Sequence, residues 1–404
     1  MPQAPSPSLR ARIETSIDAI ACADWNALQG THVPFLRHEF LSALEHTKCV
    51  GRASGWQPAV LTLRDAQGLA AAAPGYLKSH SYGEFVFDFS WAQAYARVGL
   101  AYYPKLVLAV PFTPASGPRL LLRPDVPREP AVRALSEAAR DYCSAYGLSS
   151  AHALFIDEAD RGALAGAGWL LRRDCQFHWQ NAGYTSFEQY LESFTAEKRK
   201  KARRERRRVA EAGIRFETRL GPELTEGELD AVYALHRDTF LRHGHEPYLT
   251  RAFFSEIRRT LPDALMVKLA MHGRELVATA IFFHGPLAQP EALYGRYWGA
   301  QADYHSLHFE TCYHQGIEFC IERGIQRFEP GTQGEHKVSR GFAPTITWSA
   351  HHIADRRFRA VVQEFLAREG DAIDAYAADI QTHVPFREAR RAARDAQADS
   401  EGGG

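Results

Sequence analysis

Phe328 to Phe342 reads FEPGTQGEHKVSRGF and sets Glu329, Glu335, His336, Lys337 and Arg340 among four glycines and prolines. A strand that only fills a core is apolar and carries little Gly or Pro. Ionisable groups on a Gly-rich turn beside a buried strand point to a site, because loops on a rigid scaffold carry chemistry. Glu335 and His336 suit a general base and its partner. Neighbours on a strand face opposite ways, so only one of the two is expected to enter a cleft. The bland alternative pairs Glu335 with Lys337 or Arg340 as a structural ion pair.

Other groups could serve the same chemistry. His308 and Glu310 open a helix at LHFE. His308 and Cys312 stand four apart and share a face. No third ligand has a suitable spacing, so no metal site is expected. Arg296, Tyr297 and Trp298 end an apolar strand, and alternation puts Arg296 and Trp298 opposite Tyr297. A buried arginine there needs an anion, either a carboxylate of the chain or a ligand phosphate or carboxylate. In the first half, KSHSYGEFVFD spans residues 78–88. A period of two places Lys78, His80, Tyr82 and Glu84 on one face up to Gly83. With Asp88, Tyr102, Tyr103 and Lys105 they suit a cleft wall, or else an edge strand guarded by charge.

These groups must be positioned by a chain of 404 residues, long enough for two domains. Hydrophobic content of 45% and charged content of 24% are those of a globular protein. No apolar run is long enough to span a bilayer, and MPQAPSPSLRAR lacks the apolar core of a signal peptide. Six scattered cysteines without a CxxC pair suggest a reducing cytoplasm. Net charge is zero, yet Lys198 to Arg208 holds nine basic residues and one acidic, leaving the rest of the chain at −8. Such a helix attracts a polyanion locally. Residues 1–12 and 388–404 are expected to be disordered around two α/β lobes, 13–175 and 176–387.

Strand patterns fall at 59–64, 69–76, 105–110, 119–123 and 151–156, and helical ones at 91–98 and 130–146. In the second lobe the predicted order is helices at 187–193 and 198–212, a strand at 215–220 and helices at 224–243 and 250–261. Three strands follow at 265–271, 276–284 and 292–298, then a long helix at 307–323, strands at 326–329 and 345–353, and a helix at 358–368. A doubly wound nucleotide fold alternates strand and helix strictly. Neither GxGxxG after a strand nor GxxxxGK[ST] occurs.

This order resembles the GNAT acyltransferase fold. That resemblance implies two splayed strands whose free backbone groups grip an acyl-thioester, with the next helix aimed at its pyrophosphate. The matching stretch here is GAQADYHSLHF, and the usual Arg/Gln-x-x-Gly-x-Gly/Ala pattern is absent from it. HEFLSALE, GWQP, YLKSHSYGEFVFD, YYPKL, QFHWQN, KRKKARRERR, YGRYWG, LHFETCYHQGIEF and GTQGEHKVSRGF together resemble the FemAB-like branch of that superfamily over residues 15–385. Gly75 and Thr332 depart from the pattern expected.

The resemblance implies an α/β (α+β) chain of two GNAT-like lobes, each a mixed, mostly antiparallel sheet flanked by helices. It implies an N-acyltransferase acting on an amine, lipid-like or sphingoid, with acyl-CoA or acyl carrier protein as co-substrate and no tightly bound cofactor. Glu335 or His336 is then the base, with His308 and Glu310 as further catalytic candidates. Lys78, His80, Tyr82, Glu84, Asp88, Tyr103, Arg296, Tyr297, Lys337 and Arg340 would bind substrate in a cleft between the lobes. Apart from the resemblance, the charge of Lys198–Arg208 suits a solvated helix or one that contacts an anionic membrane, cofactor phosphates or tRNA; membrane contact would place a cytoplasmic protein at the inner membrane, and aromatic residues for stacking bases are missing there, which disfavours tRNA. The alternatives are an aminoacyl-tRNA-dependent peptidoglycan aminoacyltransferase and a non-catalytic GNAT-like binder of a cell-envelope ligand.

Overall fold

The computed structural model describes residues 9–288, 291–302, 304–332 and 334–387. The expected disorder at 1–8 and 388–404, together with Asp303 and Gln333 of the quoted motifs, lies outside them. The chain divides into two compact units, 1–174 with 347–371 and 175–346 with 372–404. The return of Thr347–Asp371 to the first unit differs from the expected division, which gave that stretch to the second lobe.

In the first unit, β1 (Arg10–Glu14) is followed by α1 (Cys22–Asn26), α2 (His38–His46), β2 (Trp56–Pro58), β3 (Val60–Asp65), β4 (Gly68–Ala73) and β5 (Gly75–Lys78). Then come α3 (Phe89–Arg97), β6 (Lys105–Leu108), β7 (Leu121–Leu122), α4 (Arg128–Tyr146), β8 (Ser150–Ile156) and α5 (Glu158–Gly166). β9 (Leu170–Gln180) leads from this unit into the next. β1 corrects the expectation of a disordered start through residue 12, since Arg10 to Glu14 pair antiparallel with β3.

The strand expected at 69–76 is two strands. β4 lies in a sheet ordered β1-β3-β4-β7, and β5 lies in the order β8-β6-β5-β2. Pro74 stands between them, where its missing N–H would break a ladder. Gly75 has a steric reason to be glycine: a Cβ on it would stand 2.2 Å from the Ala59 carbonyl oxygen. α4 stops where Gly147 takes φ 62°, a left-handed helix end. The core of this unit joins α4 to the sheets through Leu61, Leu63, Leu106, Leu135, Ala139 and Ile156.

The second unit runs through α6 (Phe187–Glu192), α7 (Ala196–Glu211), β10 (Ile214–Leu220), α8 (Glu226–Arg242) and α9 (Arg251–Thr260). It continues with β11 (Leu265–His272), β12 (Glu275–His284), β13 (Ala292–Ala300), α10 (Leu307–Phe309), α11 (Gln315–Arg323) and β14 (Arg327–Glu329). β15 (Ala343–Ile353) and α12 (Arg356–Gln381) complete the chain, and α12 is longer than its apolar pattern suggested. The strand order here is β10-β11-β12-β13-β14-β9. All neighbours are antiparallel except β13 and β14, which run parallel. α8 begins at a capping box in which Thr225 and Glu228 exchange bonds with each other's backbone N–H. The core gathers Trp179, Tyr190, Phe194, Phe282, Ile317 and Phe328. Among the described residues no helix is long and apolar enough to cross a membrane.

Candidate functional site

β13 is paired along one edge and half-open along the other. Leu293 to Ala300 pair with β12, whereas β14 meets only Ala292, Leu293 and Tyr294. Among the described residues the second edge from Gly295 to Ala300 therefore has no strand partner. A bulge falls in the same place: Ile281 faces Tyr297 and Phe282 faces Gly295, so Arg296 is the extra residue. The simple alternation expected for Arg296, Tyr297 and Trp298 is thus broken, as a bulge re-aims side chains. The Tyr297 ring packs 4.7 Å from His236 of α8 and 6.0 Å from Phe254 of α9.

A pocket of about 150 Å³ opens at this half-paired edge. Gly295, Arg296, Tyr297 and Trp298 of β13 line it together with His308, Cys312 and Tyr313, and Phe282 and Pro330 also contribute. The segment carrying His308, Cys312 and Tyr313 departs from the single helix expected at 307–323. Glu310–His314 is π-helical, between α10 and α11. Bonding to the fifth residue rather than the fourth widens the turn, and such bulges recur at functional sites. The wider turn carries Tyr313 to the same face as His308, their rings 5.4 Å apart. Burial, followed by His336, Arg340 and Lys337, holds the His308 imidazole down to about 4. It is therefore uncharged at neutral pH and able to accept a proton.

Glu335–Arg340 is a 3-10 helix, not a strand, so the alternation expected for Glu335 and His336 does not apply. Gly334 leads into it at φ 107°, a conformation that favours glycine. His336 stands with its Nε2 2.9 Å from Tyr313 Oη. Burial, Lys337 and Arg340 lower its pKa. Glu335 turns to the surface, where Tyr376 Oη donates to it at 2.9 Å, and it does not line the pocket.

Lys337 and Arg340, expected to bind substrate, are engaged by the chain itself. Lys337 is buried and its Nζ donates to the carbonyls of Gly331 at 2.8 Å and Thr332 at 3.0 Å, tying the loop shut. Burial pushes its ammonium down to about 7. Arg340 gives both Glu205 oxygens a bond of 2.9 Å and stacks over the Phe309 ring at 3.4 Å. Glu310 accepts from Arg206 at 3.1 Å and Gln315 at 2.8 Å, in a structural network rather than at the pocket. Of the expected binding residues in this unit, Arg296 and Tyr297 line the pocket.

The first-unit candidates also rearrange. β5 ends at Lys78, and the chain then folds back, so Lys78, His80, Tyr82 and Glu84 do not share a strand face. Tyr82 is 68% exposed. Its N–H meets His80 Nδ1 at 3.2 Å, and its carbonyl accepts from Lys78 Nζ at 3.1 Å. Lys78 sits over the Trp56 ring, and burial depresses its pKa to about 7.

Lys105, fully buried, donates to Ser81 Oγ at 2.9 Å, to Glu84 Oε2 at 2.8 Å and to Asp88 Oδ2. Tyr103 joins through Ser81 Oγ at 2.8 Å. From Asp88 a hydrogen-bonded chain continues through Tyr102 Oη to His152 Nε2, and then from His152 Nδ1 to His351 Nδ1 at 2.7 Å. Burial opposes the Lys105 charge, but Glu84 and Asp88 outweigh it and raise its pKa. Burial lifts Glu84 to about 7. Asp88 settles at about 2, because Lys105 overcomes the burial that would raise it.

Sequence reasoning quoted Tyr313 within a motif without giving it a role, and it overlooked His152 and His351. A histidine inside an apolar strand, as in AHALFI and WSAHHI, was the available signal. Tyr313 had none, because an ordinary helix would have turned it away from His308.

No curated protein matches the chain. Among solved structures it is similar to FemX at 10% identity and a TM-score of 0.51, covering 88% of this chain and 100% of that one. It is also similar to L-PGS from Bacillus licheniformis, at 12% identity and a TM-score of 0.48 over 82% of this chain and 96% of that one. A tandem GNAT protein from the clavulanic acid biosynthesis pathway aligns at 10% identity and a TM-score of 0.44, over 86% of this chain and 99% of that one. The architecture is the mixed α/β, GNAT-like one that the element order implied. A family model described as peptidoglycan biosynthesis/recognition matches residues 16–388, and the chain belongs to that FemAB-like family.

Proposed function

We propose that this protein transfers an acyl or aminoacyl group from an activated donor to an amine, with the reaction in the pocket beside the open edge of β13. The observation that carries the reading is that two proton-handling side chains, His308 and Tyr313, line one pocket together with Gly295 to Trp298, the part of β13 beyond its pairing with β14. Acyl transfer needs those parts: a base for the amine, donors for the oxyanion and an acid for the leaving group.

The amine nitrogen attacks the carbonyl carbon and its proton passes to His308. Backbone N–H groups on the open edge of β13 face the developing oxyanion. As the carbon–sulfur or carbon–oxygen bond breaks, Tyr313 protonates the leaving group and regains a proton by way of His336. Arg296 offers a positive charge to an anionic part of the donor. In this reading His336 keeps a role but acts through Tyr313, and Glu335 has none.

The preferred donor is an acyl thioester, on coenzyme A or an acyl carrier protein, and the preferred acceptor a lipid-like amine. An aminoacyl-tRNA donor is the second reading, favoured by the family's description and by the absent pyrophosphate pattern after β13. The test incubates the protein with acyl-CoA thioesters and long-chain amines, following free thiol and amide product, and in parallel with charged tRNA. Amide formation lost in Tyr313→Phe supports the proposal. No amide from either donor class, with an intact fold, overturns it.

A further inference from the structure

The basic helix α7 is absorbed neither by the pocket nor by the proposed reaction. At 100° per residue its buried residues Ala202, Glu205 and Val209 fall on one side. Glu205 fixes that side through Arg340, and Arg206 adds a bond to Glu318 at 2.8 Å. The opposite side is an arc of six exposed cations: Lys200, Lys201, Arg203, Arg204, Arg207 and Arg208. From Lys198 to Arg208 the only acidic residue is Glu205, and it points inward.

Part of this charge is met at home. Arg203 contacts Glu188, Arg207 lies 3.6 Å from Glu211, and Arg208 meets His305 at 3.1 Å. Lys201 also acts on Glu205, whose pKa it helps to lower, whereas Lys200 and Arg204 form no salt bridge among the described residues. A helix held rigidly by its inner face while it presents like charges outward carries a self-repulsion that an external polyanion relieves.

We propose that the outer face of α7 docks on an anionic lipid surface. The helix lies lengthwise, so all six cations can reach a plane of headgroups at once. Three features favour a lipid surface over a nucleic acid. The arc is a flat stripe on one convex helix, it holds no aromatic side chain on which bases would stack, and its cations are long side chains that can reach into a headgroup layer. Binding is through surface charge, so it falls with salt over a Debye length of about 8 Å at 0.15 M.

The test uses the full chain in co-sedimentation with vesicles of phosphatidylcholine containing a quarter phosphatidylglycerol, and with phosphatidylcholine alone. Binding is expected to the anionic vesicles only and to vanish at 0.5 M salt. The triple variant Lys200→Gln, Lys201→Gln, Arg204→Gln changes only exposed groups, and it should bind about a hundredfold more weakly. A second variant, Arg203→Gln with Arg207→Gln and Arg208→Gln, should weaken binding likewise. Equal binding to neutral vesicles, no binding to anionic ones, or indifference to both variants overturns the proposal. So does salt-sensitive binding to RNA without binding to vesicles.

Discussion

Tyr313 Oη and His336 Nε2 lie 2.9 Å apart, although they belong to a π-helical turn and a separate 3-10 helix. Of the two, only the tyrosine lines the pocket, so the imidazole acts there through its bond to Tyr313 and through its electrostatic effect on His308. Tyr313→Phe and His336→Ala should each lower kcat by about 10²- to 10⁴-fold, the range of a positioned acid–base group. The double variant should lose little more than either single one, because the two act as a unit. Fully multiplicative losses in steady-state assays would show that they do not.

His308 titrates near 4, so its neutral, proton-accepting form persists well below neutral pH. The acid limb of kcat/KM governed by this base should therefore fall near pH 4 rather than near 6.5. A pH–rate profile on the wild type gives the limb, and His308→Ala should remove it along with most of the rate. A limb that survives in His308→Ala belongs to another group.

Lys337 tests the loop rather than the reaction. Lys337→Met keeps the length of the side chain but removes the bonds to Gly331 and Thr332, at a cost of about 1–3 kcal/mol. Because burial depresses the folded-state pKa to about 7 from 10.5, the unfolded chain binds more protons between those values. Wild-type stability should thus gain a contribution that grows as pH rises from 7 toward 10.5. Urea midpoints measured across that window should show the rise in the wild type and its loss in the variant.

The buried cluster around Lys105 makes a prediction of opposite character. Lys105→Met leaves the Glu84 and Asp88 carboxylates buried without their cation, which costs about 3–5 kcal/mol. In the wild type the Asp88 contribution is present above its unfolded value of 3.8 and is lost as pH falls toward 2. Glu84, raised to about 7, works the other way: between 4.5 and 7 the folded state holds the extra proton, so stability falls as pH rises. The deficit of the variant should therefore shrink on acidification, as both carboxyls become neutral. A deficit that does not change with pH in thermal unfolding would contradict this.

Arg340→Lys should also destabilise although charge is conserved. Both bonds to Glu205 leave one guanidinium nitrogen while the other terminal nitrogen bonds the His336 carbonyl at 2.7 Å, and the plane lies on Phe309; a lysine cannot span both partners or lie flat on the ring. A loss of about 1.5–3 kcal/mol in urea unfolding is expected for one charged hydrogen bond. Equal stability would mean that solvent already screens the pair.

Local patterns in the chain were enough to set the α/β layout. Apolar runs such as Leu265–Met271 became strands, the alternation around Asp65–Gly68 became a hairpin, and Gly147 and Gly324 ended helices in the left-handed conformation that glycine tolerates. Those features depend on neighbours a few residues away, and family motifs along nearly the whole length pointed to one architecture. The candidate site was legible only as a neighbourhood. The clustering of charge at 335–340 marked the right loop, but a 3-10 turn sent Glu335 outward and left Lys337 and Arg340 serving the fold.

Tertiary structure alone decided that β13 parts from β14 after Tyr294, that Arg296 sits on a bulge, and that a π turn brings Tyr313 beside His308. Likewise, tertiary structure joined His152 and His351, from segments far apart in sequence, to the Asp88, Tyr102 and Lys105 cluster that the sequence had already grouped. The physical reason is common to all of these. Side-chain direction at a bulge, a widened helical turn or a buried ion cluster is set by which groups must share a closed space, and sequence spacing carries no record of that closure.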